Sequence, residues 1–294
     1  MTPMRRFSVP LVLLAILICS VAKSDTLELP RTTKVVPGSR YVITADRLAD
    51  GKLVGERLEH LSNVWDLLFA EFIKKEPSAA SPNTIIEPAQ HRLRVILYRN
   101  EKEYIDSLRS IEPGIERTNG LYHTPKKTAH FSSTEAKILF HEGTHQILAE
   151  RFFYEKRPAF RNNFWVVEGI ALFMETLKIE DKRYKIGNVL ADRLYSAKVY
   201  RFERNHNLPI RNLAAMSAVE IQSSKELQEI YSQSAALTHW LMFAEEGRYR
   251  GALFELLRQT YRDEATPEAL SELTGLSFEE LDKRYAEFLQ TIPD

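Results

Sequence analysis

Cysteine is almost absent from this sequence. The 294 residues include one, Cys19, so a folded core has to hold without internal disulfide bonds. The sequence also lacks an excess of either charge, because 40 lysines and arginines balance 40 aspartates and glutamates. A protein dedicated to nucleic acid needs a surplus of basic residues to neutralise phosphates. We therefore expect no nucleic-acid partner.

Long apolar runs are also lacking, apart from one at the start. Two arginines within residues 1–6 precede the apolar segment 7–22, and small residues follow it. This order is typical of a secretory signal peptide, which predicts removal of residues 1–24 and an exported protein, periplasmic or extracellular. The run of about 16 residues falls short of the roughly 20 that span a bilayer, although an uncleaved anchor stays open. Bacterial lipoprotein signals place a small residue just before the lipidated cysteine. Because the bulky Ile18 precedes Cys19, we do not expect lipid attachment there. No stable membrane span is expected in the mature chain.

The patterning of the first half mixes strands and helices. Alternating or β-rich segments predict strands at 41–44 and 93–98, and a pair of strands within 118–131 around a turn at Pro125. Apolar residues at helical spacing predict a long helix from about 45 to 74. We read 25–38 as a loose leader and 75–90 as a surface loop rich in proline, serine and alanine.

After residue 135 the sequence predicts helices alone. The expected fold class is therefore α+β, with a small N-terminal β-sheet with helices and a helical C-terminal part. We expect one domain over 25–294, with an N-terminal α/β lobe at about 40–150 and a helical lobe at about 151–294. Besides a helix at 101–110, the predicted helices lie near 135–153, 163–177, 188–201, 225–244, 248–262, 266–273 and 277–291.

An HExxH motif stands in one of these predicted helices, as His141-Glu142-Gly143-Thr144-His145. Residues four apart lie on one helix face, so both imidazoles can approach one ion. Glu142, one step round the helix, can reach a water on the metal without binding the metal. Apolar residues flank the motif on both sides. The alternative is a core helix whose histidines bond to backbone carbonyls.

Glu168 is the single charge in the otherwise apolar segment 164–174. A carboxylate in such a stretch needs a cation, a hydrogen-bond network or a raised pKa. Two histidines, one carboxylate and a fourth position left to water form a common catalytic zinc set. The alternative is a structural ion pair with an arginine. Gly143 and Gly169 each lower helix propensity by about 1 kcal/mol, which suggests close helix approaches near a shared ion.

The two segments together resemble the gluzincin metallopeptidases. HExxH followed by Trp165-x-x-Glu168-Gly169-x-Ala171 is most similar to the bacterial peptidase-MA-like proteins, including the DUF1570 type. The resemblance covers most of residues 40–290 and implies a zincin-like fold, with His141, His145 and Glu168 as zinc ligands and Glu142 as general base. Such relatives often carry an acidic residue four positions after the glutamate ligand, where this sequence has Leu172. Glu175, a turn further on, is the substitute that we expect to support a ligand.

A zinc hydrolase also needs a group that stabilises the oxyanion opposite the metal. The candidates are Tyr231, His239, Tyr122 and His123, and we prefer Tyr231 because its segment resembles the family. Each could instead be a packed aromatic or a surface histidine.

The favoured function is an exported zinc metallopeptidase, with Zn²⁺ as cofactor and a peptide or protein as substrate. The sequence lacks a GxMEN-type segment, with which aminopeptidase relatives hold the N-terminus of a substrate. This absence favours an endopeptidase. The competing hypothesis is a non-catalytic zinc-binding or scaffolding protein on the same fold. The sequence does not indicate an oligomeric state.

Overall fold

The computed structural model describes residues 26–30, 40–73, 92–152, 158–206 and 208–294. The predicted signal peptide at 1–24, Cys19 and the loop at 75–90 lie outside these residues. The strands of the described part are β1 (Leu27–Pro30), β2 (Tyr41–Ala45), β3 (Leu93–Leu97), β4 (Gly120–His123), β5 (Thr128–Phe131), β6 (Lys178–Ile179) and β7 (Arg183–Ile186). The helices are α1 (Leu48–Ile73), α2 (Glu101–Leu108), α3 (Ala136–Phe152), α4 (Phe164–Met174), α5 (Asp192–Phe202), α6 (Ile210–Ala215), α7 (Ala218–Gln222), α8 (Leu227–Gly247), α9 (Arg250–Tyr261), α10 (Ala269–Thr274) and α11 (Phe278–Thr291).

These elements confirm the mixed α+β class, and most of the predicted helices and strands are present. A four-stranded sheet has the order β2-β3-β5-β4. The pairs β2–β3 and β3–β5 are parallel, while β4 runs antiparallel to β5 at the sheet edge. Parallel neighbours need a crossover connection, and α1 supplies it between β2 and β3. The edge strand β4 results from the tight turn that the sequence predicts near Pro125.

Helix α1 packs against α3, the helix that contains the HExxH motif. A Cβ atom added to Gly143 would come within 2.7 Å of Leu61 Cδ2 and 2.8 Å of Leu58 Cδ2. Distances that short do not occur in real packing, so a side chain here would force the helices apart. Gly143 therefore permits the close helix approach that the sequence suggested.

A second sheet, with the order β1-β7-β6, was not predicted. β1 lies inside the segment 25–38 that we expected to be a loose leader, and it pairs antiparallel with β7 more than 150 residues later. The expectation of helices alone after residue 135 is therefore wrong at β6 and β7. Both strands have only two to four residues, too few for their alternation to reveal them. Their formation depends on a pairing distant in sequence.

Helices α4 and α8 form the centre of the helical half. All eleven residues of α4 are buried. Gly169 faces α8, and a Cβ atom there would come within 2.9 Å of the Ser234 carbonyl oxygen. α8 leaves the helical conformation at Ala244–Glu246. The short helices α6 and α7 were not predicted. Strands, α1, α3 and the C-terminal helices share one buried apolar core.

Candidate metal centre

His141 and His145 occupy one face of α3, a helical turn apart. Their Nε2 atoms are 3.2 Å apart and their ring centroids 4.9 Å apart. The helix is otherwise anchored by buried apolar residues such as Phe140 and Ile147. Both imidazoles keep 16% of their side-chain surface exposed. They are therefore not sealed within the core, and solvent reaches both of them.

Glu168 extends from α4 toward the same point. Its Oε2 atom lies 3.5 Å from His141 Nε2 and 3.7 Å from His145 Nε2. Two ligands of a tetrahedral zinc ion, each at about 2.0–2.1 Å, are separated by roughly 3.4 Å. The three observed separations are close to that value, so these side chains lie close enough to hold one metal ion.

The Glu168 carboxylate is 4% exposed, and its Oε2 atom is buried without a hydrogen-bond partner among the described residues. A buried carboxylate oxygen of this kind calls for a cation. The alternative of an arginine partner is not observed, because in the described part its ionic neighbours are the two histidines. Burial opposes the charge on Glu168, but His145 and His141 together hold its pKa well below the ordinary value. The carboxylate is therefore kept in its charged form, which is the form that binds a metal ion.

Glu175 supports His141 from behind. Nδ1 of His141 lies 2.7 Å from Glu175 Oε1, which fits an Nδ1–H donor and leaves Nε2 free for a metal. Burial alone would lower the pKa of His141, yet the neighbouring carboxylates of Glu168 and Glu175 raise it well above its usual range. Glu175 thus takes the supporting position expected of it, in place of Leu172.

Glu142 is oriented by the edge strand. Its Oε2 atom accepts a hydrogen bond of 2.9 Å from the backbone N–H of Tyr122 in β4. Gly120, two residues earlier, allows this approach, because a Cβ atom there would lie 2.8 Å from Glu142 Cγ. The carboxylate is therefore held by β4, while its charge also acts on His141.

Of the four oxyanion candidates, Tyr231 lies near Glu168. It is partly buried, and burial raises its pKa, as do the nearby charges of Glu168 and Glu142. His239 follows it by eight residues, about 12 Å along α8, and packs between Phe243 and Phe288.

The other two candidates are on β4. The Tyr122 hydroxyl donates to Glu150 at 2.9 Å, so it is already engaged in a structural contact. His123 ends the strand, with its ring 6.4 Å from that of His130. The structure favours Tyr231 over both.

Sequence reasoning missed Tyr261, which lies on α9. The residue is 5% exposed, and burial followed by the charge of Glu168 raises its pKa well above the ordinary value. It therefore belongs to the environment of the Glu168 carboxylate. Nothing in the local pattern around residue 261 indicates this, because α9 folds back onto α4 from 93 positions further along the chain.

No curated protein matches the chain. Residues 135–265 match the model of one protein family, which is described as Protein of unknown function (DUF1570). The matched segment contains the whole of α3 to α9, and with them the five candidate residues His141, Glu142, His145, Glu168 and Tyr231. The match supports the DUF1570-type resemblance drawn from the sequence, over the segment that builds the candidate metal centre.

Proposed function

We propose that this protein is a zinc-dependent metallopeptidase of the HExxH…E, or gluzincin, type with a zincin-like fold. The observation that carries the proposal is the convergence of His141, His145 and Glu168 at separations that suit a tetrahedral ion. A carboxylate that is not needed as a ligand, Glu142, lies next to them. Three ligands with one open position are typical of catalytic zinc, whereas structural sites are closed by four.

A zinc ion bound here would lower the pKa of a water molecule and polarise the substrate carbonyl. Glu142 would take the proton from the attacking water and pass it to the leaving amine. Its position is fixed by the Tyr122 N–H, so little reorganisation is needed before proton transfer. The neutral hydroxyl of Tyr231 would donate a hydrogen bond to the carbonyl oxygen as negative charge develops there.

The position of β4 supports a peptide substrate. β4 pairs with β5 on one side and presents its other edge toward α3 and Glu142. An extended peptide can lie along such an edge through main-chain hydrogen bonds. A chain bound in this way can continue past the metal centre in both directions, which favours cleavage within a chain.

Export follows from residues 1–24 and forms part of the proposal. Mass spectrometry of the protein from the periplasm or medium should find a chain lacking about 22–24 residues. A chain that retains Met1 after export would contradict signal-peptide cleavage.

The decisive experiment combines metal analysis with an unbiased digest. Purified protein should contain one zinc per chain and should cleave a mixed peptide library, with products identified by mass spectrometry. A chelator should stop cleavage and added zinc should restore it. Stoichiometric zinc without cleavage of any peptide would favour the non-catalytic zinc-binding protein, and absence of zinc would contradict both.

A further inference from the structure

The beginning of α5 lies near α3 and α8, two of the three helices that carry candidate site residues. Asp192 Oδ2 lies 3.5 Å from Lys137 Nζ on α3. The next residue, Arg193, donates from its guanidinium NH1 to Gln228 Oε1 on α8 at 2.8 Å. The first contact joins two exposed side chains, whereas the second is a hydrogen bond to α8, against which α5 packs.

Both contacts are one helical turn from residues of the metal centre. Lys137 precedes His141 by four positions, and Gln228 precedes Tyr231 by three, so each pair shares a helix face. One turn corresponds to about 5.4 Å. Because Arg193 is hydrogen-bonded to Gln228, its guanidinium lies about one turn of α8 from Tyr231, within reach of a substrate bound at the candidate site.

The guanidinium of Arg193 has capacity for a further partner. Gln228 is neutral, and no carboxylate within the described ranges lies within ion-pair distance of Arg193. Other arginines of this protein do have such partners: Arg183 is paired with Glu28 and Glu180. Arg193 is also partly exposed. A guanidinium presents five donors in a planar fork that matches a carboxylate.

We propose that Arg193 binds a carboxylate of the substrate beside the scissile bond, with Gln228 holding the guanidinium in place. This inference rests on the proposed peptidase function. The carboxylate belongs either to an aspartate or glutamate side chain or to the free C-terminus of the peptide. In both cases Arg193 determines specificity, and it should act on substrate selection more than on the proton transfers of Glu142.

The first test is a peptide-library digest with the full-length protein. Wild type should cleave mainly where a carboxylate lies within about three residues of the scissile bond, on one side only. Arg193→Gln should lower kcat/KM for those sites by roughly 10- to 100-fold, the usual size for a hydrogen bond to a charged group. Sites without a carboxylate should change little. A parallel library with amidated C-termini distinguishes the sources, because a preference that disappears belongs to the terminal carboxylate.

The matched control is Arg204→Gln. Arg204 lies just beyond the far end of α5, roughly 15 Å away along the helix axis, where its guanidinium stands over the Tyr200 ring at 5.3 Å. This substitution removes the same positive charge, but far from the candidate site. The control variant should keep the wild-type preference. An equal loss for all peptides in Arg193→Gln, or no preference in wild type, would overturn the proposal.

A binding measurement separates this inference from the proposed activity. Calorimetry measures the binding of two hydroxamates to the zinc-loaded protein. The compounds are identical except that one has a carboxylate and the other a carboxamide, about two residues from the metal-binding group. Wild type should bind the carboxylate compound about tenfold or more tightly, and Arg193→Gln should bind both alike. If the preference is present but no peptide is cleaved, the peptidase proposal fails while Arg193 keeps its role. Equal affinities in wild type, or no binding, contradict the role of Arg193.

Discussion

His141 and Glu175 are joined by a hydrogen bond of 2.7 Å between Nδ1 and Oε1. They lie on neighbouring helices and are 34 residues apart in sequence. Carboxylates that accept from the second ring nitrogen of a metal-binding histidine fix its tautomer and increase its basicity. The bond also connects α3 to the end of α4, the helix that supplies Glu168. Metal affinity should therefore depend on a residue that does not touch the metal.

Glu175→Ala should weaken zinc binding by roughly 10- to 100-fold, as losses of such support typically do. The Nδ1–H donor would lose its acceptor and the imidazole its fixed orientation. Glu175→Gln should lose less, because the amide oxygen can still accept. Competition with a chromogenic chelator measures all three affinities. Equal zinc affinity in wild type and Glu175→Ala would show that the hydrogen bond does not support the metal.

Glu142→Gln should keep zinc and lose hydrolysis by about 10²–10⁴-fold. A carboxamide preserves the shape and can still accept from the Tyr122 N–H, but it cannot take a proton from water. His141→Ala and Glu168→Ala should instead release zinc, because each removes a proposed ligand. Metal content and peptide cleavage, measured on the same samples, distinguish the two classes. If Glu142→Gln cleaves as fast as wild type, the mechanism is wrong even for a genuine peptidase.

The sequence predicted the convergence of His141, His145 and Glu168 better than their surroundings. His141 and His145 are four apart in one helix, and Glu168 is a lone charge in an apolar segment, so local pattern alone indicates them. Glu175 could be suggested only through the family resemblance. Tyr261 could not be found in this way, because it lies on α9 and does not interrupt the local pattern there.

The fold shows the same difference between features that local sequence patterns reveal and features that depend on distant contacts. Strands β2 to β5 and the long helices have strong periodicity and were predicted to within a few residues. The sheet of β1, β6 and β7 was missed because its strands have two to four residues and pair across more than 150 positions. The zincin-like fold and the division into lobes remain predictions.

Gly120→Ala should lower peptidase activity without removing zinc. The added methyl group would lie 2.8 Å from both Glu142 Cγ and Ile138 Cγ2, which would displace the carboxylate from the Tyr122 N–H. A shift of this kind can cost about 100-fold in rate. Gly251→Ala is the matched control, because no atom lies within 4 Å of the added Cβ. Unchanged kcat in Gly120→Ala would argue against the positioning role of this contact.

Gly169→Ala should destabilise the fold. The new Cβ atom would meet the Thr238 hydroxyl and the Ser234 backbone carbonyl of α8, and a backbone group cannot move aside as a flexible side chain does. Overpacking of a core contact costs about 1–3 kcal/mol, which outweighs the gain in helix propensity of about 1 kcal/mol. Thermal melts of chelator-treated protein measure the effect. Gly251→Ala, with its open surroundings, should melt at or above the wild-type temperature.

His239 should make the fold sensitive to acid. Burial lowers its pKa to about 4 from an ordinary 6.5, and Nε2 has no hydrogen-bond partner in the described part of the chain. In the unfolded chain His239 binds a proton as the pH falls below about 6.5. In the folded protein it does so only near pH 4. The stability that the neutral imidazole confers is therefore complete above pH 6.5 and is lost as the pH falls toward 4.

Replacing His239 with leucine removes this titration while keeping an apolar group between Phe243 and Phe288. Between pH 7 and pH 4.5 the free energy of unfolding of wild type should fall by about 2–3 kcal/mol more than that of His239→Leu. Urea denaturation at both pH values, with chelator present so that release of zinc does not contribute, gives the comparison. The two proteins should differ little in slope above pH 7, where the histidine is neutral in both states. If both proteins lose the same stability between pH 7 and pH 4.5, His239 is solvated or hydrogen-bonded in the folded protein. Only an imidazole that burial keeps neutral creates the difference in proton uptake on which the prediction depends.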